Sequence, residues 1–409
     1  MRRIFSCLPL VAVAVTLSGC SDSIGPITGL PRNLSIAEGK LIEADNKFAF
    51  KLFRKINEQE GDTNIFVSPL SVAMALGMTL NGAAGSTEEA MQQALELAGL
   101  THEEVNQAYR SLIDLLRDLD PHVEFLLANS IWHRHTIAFE QAFLDLNRQF
   151  FDARVTALDF ADPGAAATIN RWVSDNTRGK IQEIVPDPIP RDIIMYLINA
   201  IYFKGDWTYQ FDRSQTRAAP FYLMGGSQTT VDMMSHAGPV TVAVTRQDGF
   251  TIADLPYSGE AYSMTILLPD NGGEIESLVE QFTQDNWTAW MAGLADDELE
   301  VSLPKFTLEY EIKLNDVLAA MGMGIAFSGG ADFTRMHRDG GIWIDEVKHK
   351  TFVDVNEEGT EAAAVTSVAM GRGIGPARFV ADRPFVFVIR EKYSGTILFI
   401  GKVMDPTAG

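Results

Sequence analysis

Cysteine is nearly absent from this chain: its 409 residues contain only Cys7 and Cys20. Both lie at the N-terminal edge, so the body of the protein can form no disulfide and must draw its stability from a hydrophobic core. Positive charge is also scarce, with 33 Lys and Arg against 54 Asp and Glu and a net charge of −21. This balance argues against nucleic acid and anionic membrane surfaces as partners, since both are bound through cationic patches. The excess acid is read as a solubility feature. Hydrolytic machinery is missing too: there is no G-x-S-x-G elbow, no H-E-x-x-H pair and no thiol beyond the N-terminal region. His133 and His135 make half a metal site with no second half nearby, and the plainer reading is a strand edge. Gly371, Gly373 and Gly375 lack the spacing and the strand-to-helix setting of a phosphate loop. Neither an enzyme nor a cofactor is expected.

What is present begins with a targeting segment. Arg2 and Arg3 precede an apolar run from Leu8 to Leu17 that is too short for a stable membrane span. It ends in Leu17-Ser18-Gly19-Cys20, which resembles the lipobox of bacterial lipoproteins. That resemblance implies that residues 1–20 form a lipoprotein signal cleaved before Cys20, with lipidation of Cys20 and attachment to a bacterial cell envelope, and with secretion as the alternative outcome. Several acyl chains on one residue would anchor more firmly than one. Residues 21–38 begin rich in Gly, Pro and Ser and read as a flexible tether. No repeat, low-complexity block or linker divides residues 39–409, so one large domain is expected.

Within that domain the first half is helical. Leu41, Ile42, Phe48, Leu52, Phe53 and Ile56 lie at helical spacing. Ser68 as N-cap and Pro69 in the first turn open a second helix, apolar nearly all round and therefore expected to be buried. Ser86 or Thr87 should cap a third, and Thr101 with Glu104 forms a capping-box pattern for a fourth. Further helices are expected over Gln141 to Phe150 and Ala165 to Thr177. From Ile193 onward strands dominate, including MYLINAIYFKGDW, LEVSLPKFTLEY, GIWIDEVKHKTFVDV and FVFVIREKYSGTILFIGKV, the last with a tight hairpin at Tyr393-Ser394-Gly395. Helices followed by strands in one unit indicate an α+β fold.

Between two strand-like runs, near Val355 and Pro384, lies EEGTEAAAVTS (Glu357 to Ser367) followed by VAMGRGIGPARFVADRP. A connection this long inside a compact domain is uncommon and usually functional or disordered. Its Val, Thr and Ala content permits a strand but supplies little bulk to hold one, so residues 357–383 are expected to form an exposed loop that becomes a strand conditionally. Glu and Ala also favour a surface helix, which the strand-like and Gly-rich flanks disfavour.

The order of motifs resembles the serpin family over about Leu41 to Pro406. Asn64 to Ser71 with Gly82, Ala83 and Thr87 is similar to its second-helix block, and Asn199 to Gly205 with Trp207 to its central strand motif. Val231 to Met234, Leu255-Pro256-Tyr257, Leu303 to Phe306, Asp332-Phe333, Asp382 to Phe387 and Gly401-Lys402-Val403 follow in the family's order. The resemblance implies three β-sheets, about nine helices and an exposed reactive-centre loop. It also implies trapping of serine proteases, and potentially cysteine proteases, by insertion of the cleaved loop into the main sheet, a behaviour cited generally as strand addition with release of stored strain. A non-inhibitory lipoprotein of the same fold, acting as a binding protein or protease substrate, is the alternative.

The loop suits insertion. Thr360, Ala362, Ala364, Thr366 and Val368 share the parity that would face the sheet interior, and all are small or β-branched and uncharged. Glu361 and Ala363 have the solvent parity, and Gly359 is expected to pivot. Family spacing from Gly359, and back from Pro384, places the scissile bond at Gly373-Ile374. Arg372 offers a protease pocket far more than glycine does, which favours Arg372-Gly373 and a trypsin-like target. Met370 would suit a chymotrypsin- or elastase-like enzyme. By the same matching, Ser71, Asn199 and His349 fall at the shutter beneath the opening strands, and Trp207, Lys305 and Glu357 at the breach where the loop enters. A Lys305–Glu357 pair and a covalent one-to-one complex of a monomer with its protease are expected.

Overall fold

The computed structural model describes residues 25–270, 274–360 and 377–408. Its helices are α1 (Ile36–Glu60), α2 (Pro69–Leu80), α3 (Gly85–Ala94), α4 (His102–Arg117), α5 (Gln141–Phe151), α6 (Ala165–Asn176), α7 (Ile275–Glu280), α8 (Gln284–Ala292) and α9 (Asn315–Leu318). The strands are β1 (Ile65–Val67), β2 (Val123–Arg134), β3 (Arg154–Leu158), β4 (Met195–Asp206), β5 (Arg217–Tyr222), β6 (Gln228–Ser235), β7 (Val240–Gln247) and β8 (Phe250–Pro256). They continue with β9 (Tyr262–Pro269), β10 (Ala295–Pro304), β11 (Phe306–Lys313), β12 (Lys348–Val355), β13 (Gly359–Thr360), β14 (Ala377–Val380), β15 (Phe385–Glu391) and β16 (Ile397–Val403).

Among the described residues the strands form three hydrogen-bonded sheets. The largest runs β1-β16-β15-β9-β8-β7-β10-β6-β5, with β14 paired to β10. A second has the order β13-β4-β2-β3, and the third is the antiparallel pair β11-β12. The α+β class and the family's three sheets and nine α-helices are borne out over these residues.

Local chemistry accounts for the helix ends. Ser68 takes the N-cap of α2, accepting from the Ser71 amide at 3.3 Å, with Pro69 in the first turn. Every residue of α2 except Ala75 is buried, because the helix packs against α1, β4 and β16. Thr101 and Glu104 make the reciprocal capping box of α4. The expected cap of α3 differs: Ala84 holds that position without a side-chain bond, and buried Thr87 accepts from the Asp332 amide at 2.8 Å instead. Only Lys348–Val355 of GIWIDEVKHKTFVDV is a strand; residues 341–347, with the apolar run Ile342-Trp343-Ile344, pair with no neighbour strand.

The N-terminal segment also differs from a tether free as far as residue 38. Helix α1 starts at Ile36 with a Ser35–Glu38 capping box. Ile27, Leu30 and Leu34 are partly buried against the main core.

Candidate functional site

The site forms where β4 ends and the segment after β12 turns back on it. Gly359 pairs with Asp206 and Thr360 with Gly205, antiparallel, so the start of the expected loop is already a strand. A Cβ on Gly359 would lie 2.3 Å from the Gly205 carbonyl oxygen, so the close approach of two backbones demands glycine here. Thr360 is 4 % exposed, and its hydroxyl lies 3.0 Å from that of Tyr257. Its inward parity matches the sequence expectation. Its burial corrects the picture of a loop exposed from 357 onward. The far end is fixed too: β14 runs parallel to β10, with Phe379 opposite Val301.

Trp207 organises the entry point. Its amide donates to the Glu358 carbonyl at 2.9 Å, and its indole Nε1 donates to the Asn356 carbonyl at 3.0 Å. The indole stacks on Tyr257 at 4.7 Å and 9°, so the ring that fixes the strand end also positions the hydroxyl facing Thr360. The Phe211 amide donates to the Glu357 carbonyl at 2.8 Å.

Glu357 is buried, and its carboxylate accepts from Lys305 Nζ at 3.1 Å and Thr216 Oγ1 at 2.9 Å. Burial alone would raise its pKa. A backbone hydrogen bond and the Lys305 and Thr216 contacts outweigh that effect and hold the carboxyl below its ordinary value. The breach trio of Trp207, Lys305 and Glu357 is thus assembled. Glu358 pairs with Arg213, an ion pair that motif matching missed.

Beyond Thr360, β4 has no described partner on the side facing β12. A cavity of about 350 Å³ lies there, with α2 as its floor and Ser71, Asn199 and His349 all in its lining. The shutter residues therefore share one cleft, with hydrogen-bond partners outside the trio. His349 Nε2 accepts from the Ser68 amide at 3.0 Å, which leaves its proton on Nδ1. Full burial lowers its pKa to about 4 and keeps the ring neutral. Asn199 donates to Asn129 Oδ1 at 2.7 Å, while its own Oδ1 has no partner. Ser68, assigned only as a helix cap, is the polar hub, since its hydroxyl also donates to the Leu398 carbonyl at 2.8 Å.

Cys20, Glu361, Ala362, Ala363, Ala364, Thr366, Val368, Met370, Arg372, Gly373 and Ile374 lie outside the described residues. No group of three or more His, Cys, Asp or Glu suited to a metal occurs among the described residues. None of the described helices is long and apolar enough to cross a membrane.

The family model described as Serpin (serine protease inhibitor) matches residues 43–406. Human Serpin B9 is 35 % identical over 376 residues, covering 90 % of this chain and 99 % of that protein. The pig leukocyte elastase inhibitor is 35 % identical over 378 residues, covering 90 % of this chain and all of that protein. Among solved structures, the native state of the thermophilic serpin tengpin superposes with a TM-score of 0.81 at 29 % identity, covering 93 % of this chain and 97 % of that one. A thyroxine-binding globulin complex with thyroxine also superposes with a TM-score of 0.81, at 28 % identity over 90 % of this chain and all of that one.

Proposed function

Because the chain belongs to the serpin family, we propose that it inhibits serine proteases as a suicide substrate, trapping the acyl-enzyme by inserting its cleaved loop between β4 and β12. The observation that carries this reading is the placement of Gly359 and Thr360. They are already paired to the end of β4, whose residues 195–201 face β12 residues 348–350 across a cavity, with small, uncharged inward-parity residues following in the sequence.

In the reaction, the protease serine oxygen attacks the Arg372 carbonyl carbon. The Arg372–Gly373 bond breaks, the new Gly373 amine leaves with a proton from the protease's own base, and an Arg372 ester remains. Freed from Gly373 and β14, residues 361–372 can continue the strand begun at Gly359. Twelve residues at about 3.3 Å each displace the ester-linked protease by roughly 40 Å. Each backbone hydrogen bond gained contributes about 1 kcal/mol net. An intact loop cannot insert this far, because β14 holds its other end against β10. Cleavage is therefore the trigger.

The target is proposed to be trypsin-like on the chemistry of Arg372, with Gly373-Ile374 and a bond at Met370 as the other sites to test. The inhibitor is proposed to be a monomer, anchored in a bacterial cell envelope through lipidated Cys20. The likeness to thyroxine-binding globulin favours one other reading, a carrier that does not trap. Trapping is preferred because bulky or charged residues block insertion when they face the sheet interior, and the inward-parity residues Thr360, Ala362, Ala364, Thr366 and Val368 are neither.

Mixing with trypsin and running a denaturing gel separates the two. A complex that survives detergent, with release of a C-terminal peptide beginning at Gly373 by mass spectrometry, is expected. Cleavage without complex and with full residual trypsin activity would refute inhibition of trypsin-like enzymes.

A further inference from the structure

The N-terminal segment is docked at the breach end of the molecule. The Ile27 amide donates to the Gly259 carbonyl at 2.7 Å, and the Tyr393 hydroxyl donates to the Ile27 carbonyl. Arg32 pairs with buried Glu38 and also donates to the Ser111 hydroxyl at 2.7 Å. The guanidinium and the Ser35 and Ser111 contacts overcome the effect of burial and hold the Glu38 carboxyl down at about 2. Residues 27–38 thus form a strap fixed at both ends. Gly259 belongs to the turn between β8 and β9, whose Ser258 amide donates to the Asp206 carbonyl at 2.7 Å. Asp206 is the partner of Gly359. The strap therefore ends a few residues from the hinge.

We infer that this strap orients the anchored protein, holding the hinge end beside the membrane and the far end of the β4–β12 cleft away from it. The inference rests on the lipid anchor and trapping function proposed above. Six residues, 21–26, separate Cys20 from docked Ile27, a reach of at most about 24 Å. A tether free from Cys20 to Ser35 would span about 50 Å, close to the width of a domain with a radius of gyration near 21 Å, and would allow any orientation. The 12 residues of β4 alone carry the chain about 36 Å from Asp206 to Met195. The reach from Cys20 to Ile27 is shorter than that, so a molecule standing with β4 along the membrane normal can rest only on its hinge end, not on its Met195 end. Cleavage then carries a trapped protease outward, from the membrane side to the distal end.

Cysteine scarcity makes the orientation measurable, because the mature chain has no thiol besides Cys20. Ser214→Cys beside the hinge and Asp192→Cys beyond the Met195 end each give one exposed labelling site. The full lipidated chain is reconstituted in phosphatidylethanolamine–phosphatidylglycerol vesicles carrying a rhodamine lipid, and quenching of a donor dye is compared at the two sites. At least twofold stronger quenching at residue 214 than at residue 192 is expected. In the Arg32→Ala/Tyr393→Phe variant the difference should collapse; trypsin trapping by that variant in detergent verifies its fold.

Equal quenching of vesicle-bound protein at both sites overturns the orientation and leaves the anchor standing. A chain that does not sediment with vesicles overturns the anchor and the orientation together, whereas loss of trypsin trapping alone counts against the proposed function. A difference that persists after the strap contacts are removed shows that something other than the strap orients the protein, and also overturns the inference.

Discussion

Replacing Thr360 with Arg should convert the inhibitor into a substrate. Thr360 occupies the first inward-facing position beside the cleft, is 4 % exposed and lies within hydrogen-bonding distance of the Tyr257 hydroxyl. A guanidinium there loses that contact, worth about 1 kcal/mol, and must also be desolvated. The hinge carboxylates cannot neutralise it, since Glu357 is committed to Lys305 and Thr216, and Glu358 to Arg213. An unpaired buried charge costs several kcal/mol even after relaxation. If about 3–4 kcal/mol of this appears in the insertion barrier, insertion slows roughly 100- to 1,000-fold relative to deacylation. The assay is the stoichiometry of inhibition, the moles of protein consumed per mole of trypsin inactivated. The parent and a Thr360→Ser control should inhibit near one to one, while Thr360→Arg should be cleaved at an unchanged rate and inactivate almost no trypsin. One-to-one trapping by Thr360→Arg would refute the parity argument.

Lys305→Met leaves the buried Glu357 carboxylate without its cation. Because Lys305 is 44 % exposed while the Glu357 side chain is 7 % exposed, the loss should be modest, about 1–2 kcal/mol, read as a lower unfolding midpoint and faster polymerisation on heating. The Glu357 carboxyl is held below its ordinary 4.5, so its contribution is present above that pH and is lost as pH falls through the lowered value. Asp45 is fully buried against Tyr109, and burial raises it from 3.8 to about 7. Its contribution is therefore complete below pH 3.8 and lost as pH rises toward 7, so Asp45→Asn should stabilise the fold at pH 8 by on the order of 4 kcal/mol in denaturant titration. His349 has the opposite sign: lowered from 6.5 to about 4, it favours the fold above pH 6.5 and destabilises it as pH falls to 4. His349→Gln should remove a fall on the order of 3 kcal/mol over that interval.

The sequence was most informative where chemistry is local. The cap of α2, the capping box of α4 and the alternation of β12 each follow from residues within one turn or one strand of each other. The Lys305–Glu357 pair was legible only by resemblance, since 52 residues separate the partners. What could not be read depends on three-dimensional coincidence. Tyr257 meets Thr360 because stacking on Trp207 aims its hydroxyl, and neither side chain carries a periodic signal of that contact. Ser68 looked like an ordinary N-cap, and only the approach of β12 makes it the partner of His349. The N-terminal strap has a linker's composition, yet Ile27 finds its bonds on Gly259 and Tyr393, hundreds of residues away. Residues 341–347 show the limit in the other direction, an apolar run of strand-like composition with no strand partner.

The central claim is that the segment after Thr360 becomes a strand in the cleft between β4 and β12 once it is cut. Its most direct test is thermal unfolding before and after cleavage by a protease that cuts within residues 361–376 without being trapped. About twelve added strand residues, each contributing roughly 1 kcal/mol in backbone hydrogen bonding, should raise the unfolding midpoint by tens of degrees, and Thr360→Arg should weaken or abolish the rise. A cleaved protein that unfolds at the same temperature as the intact one would contradict insertion.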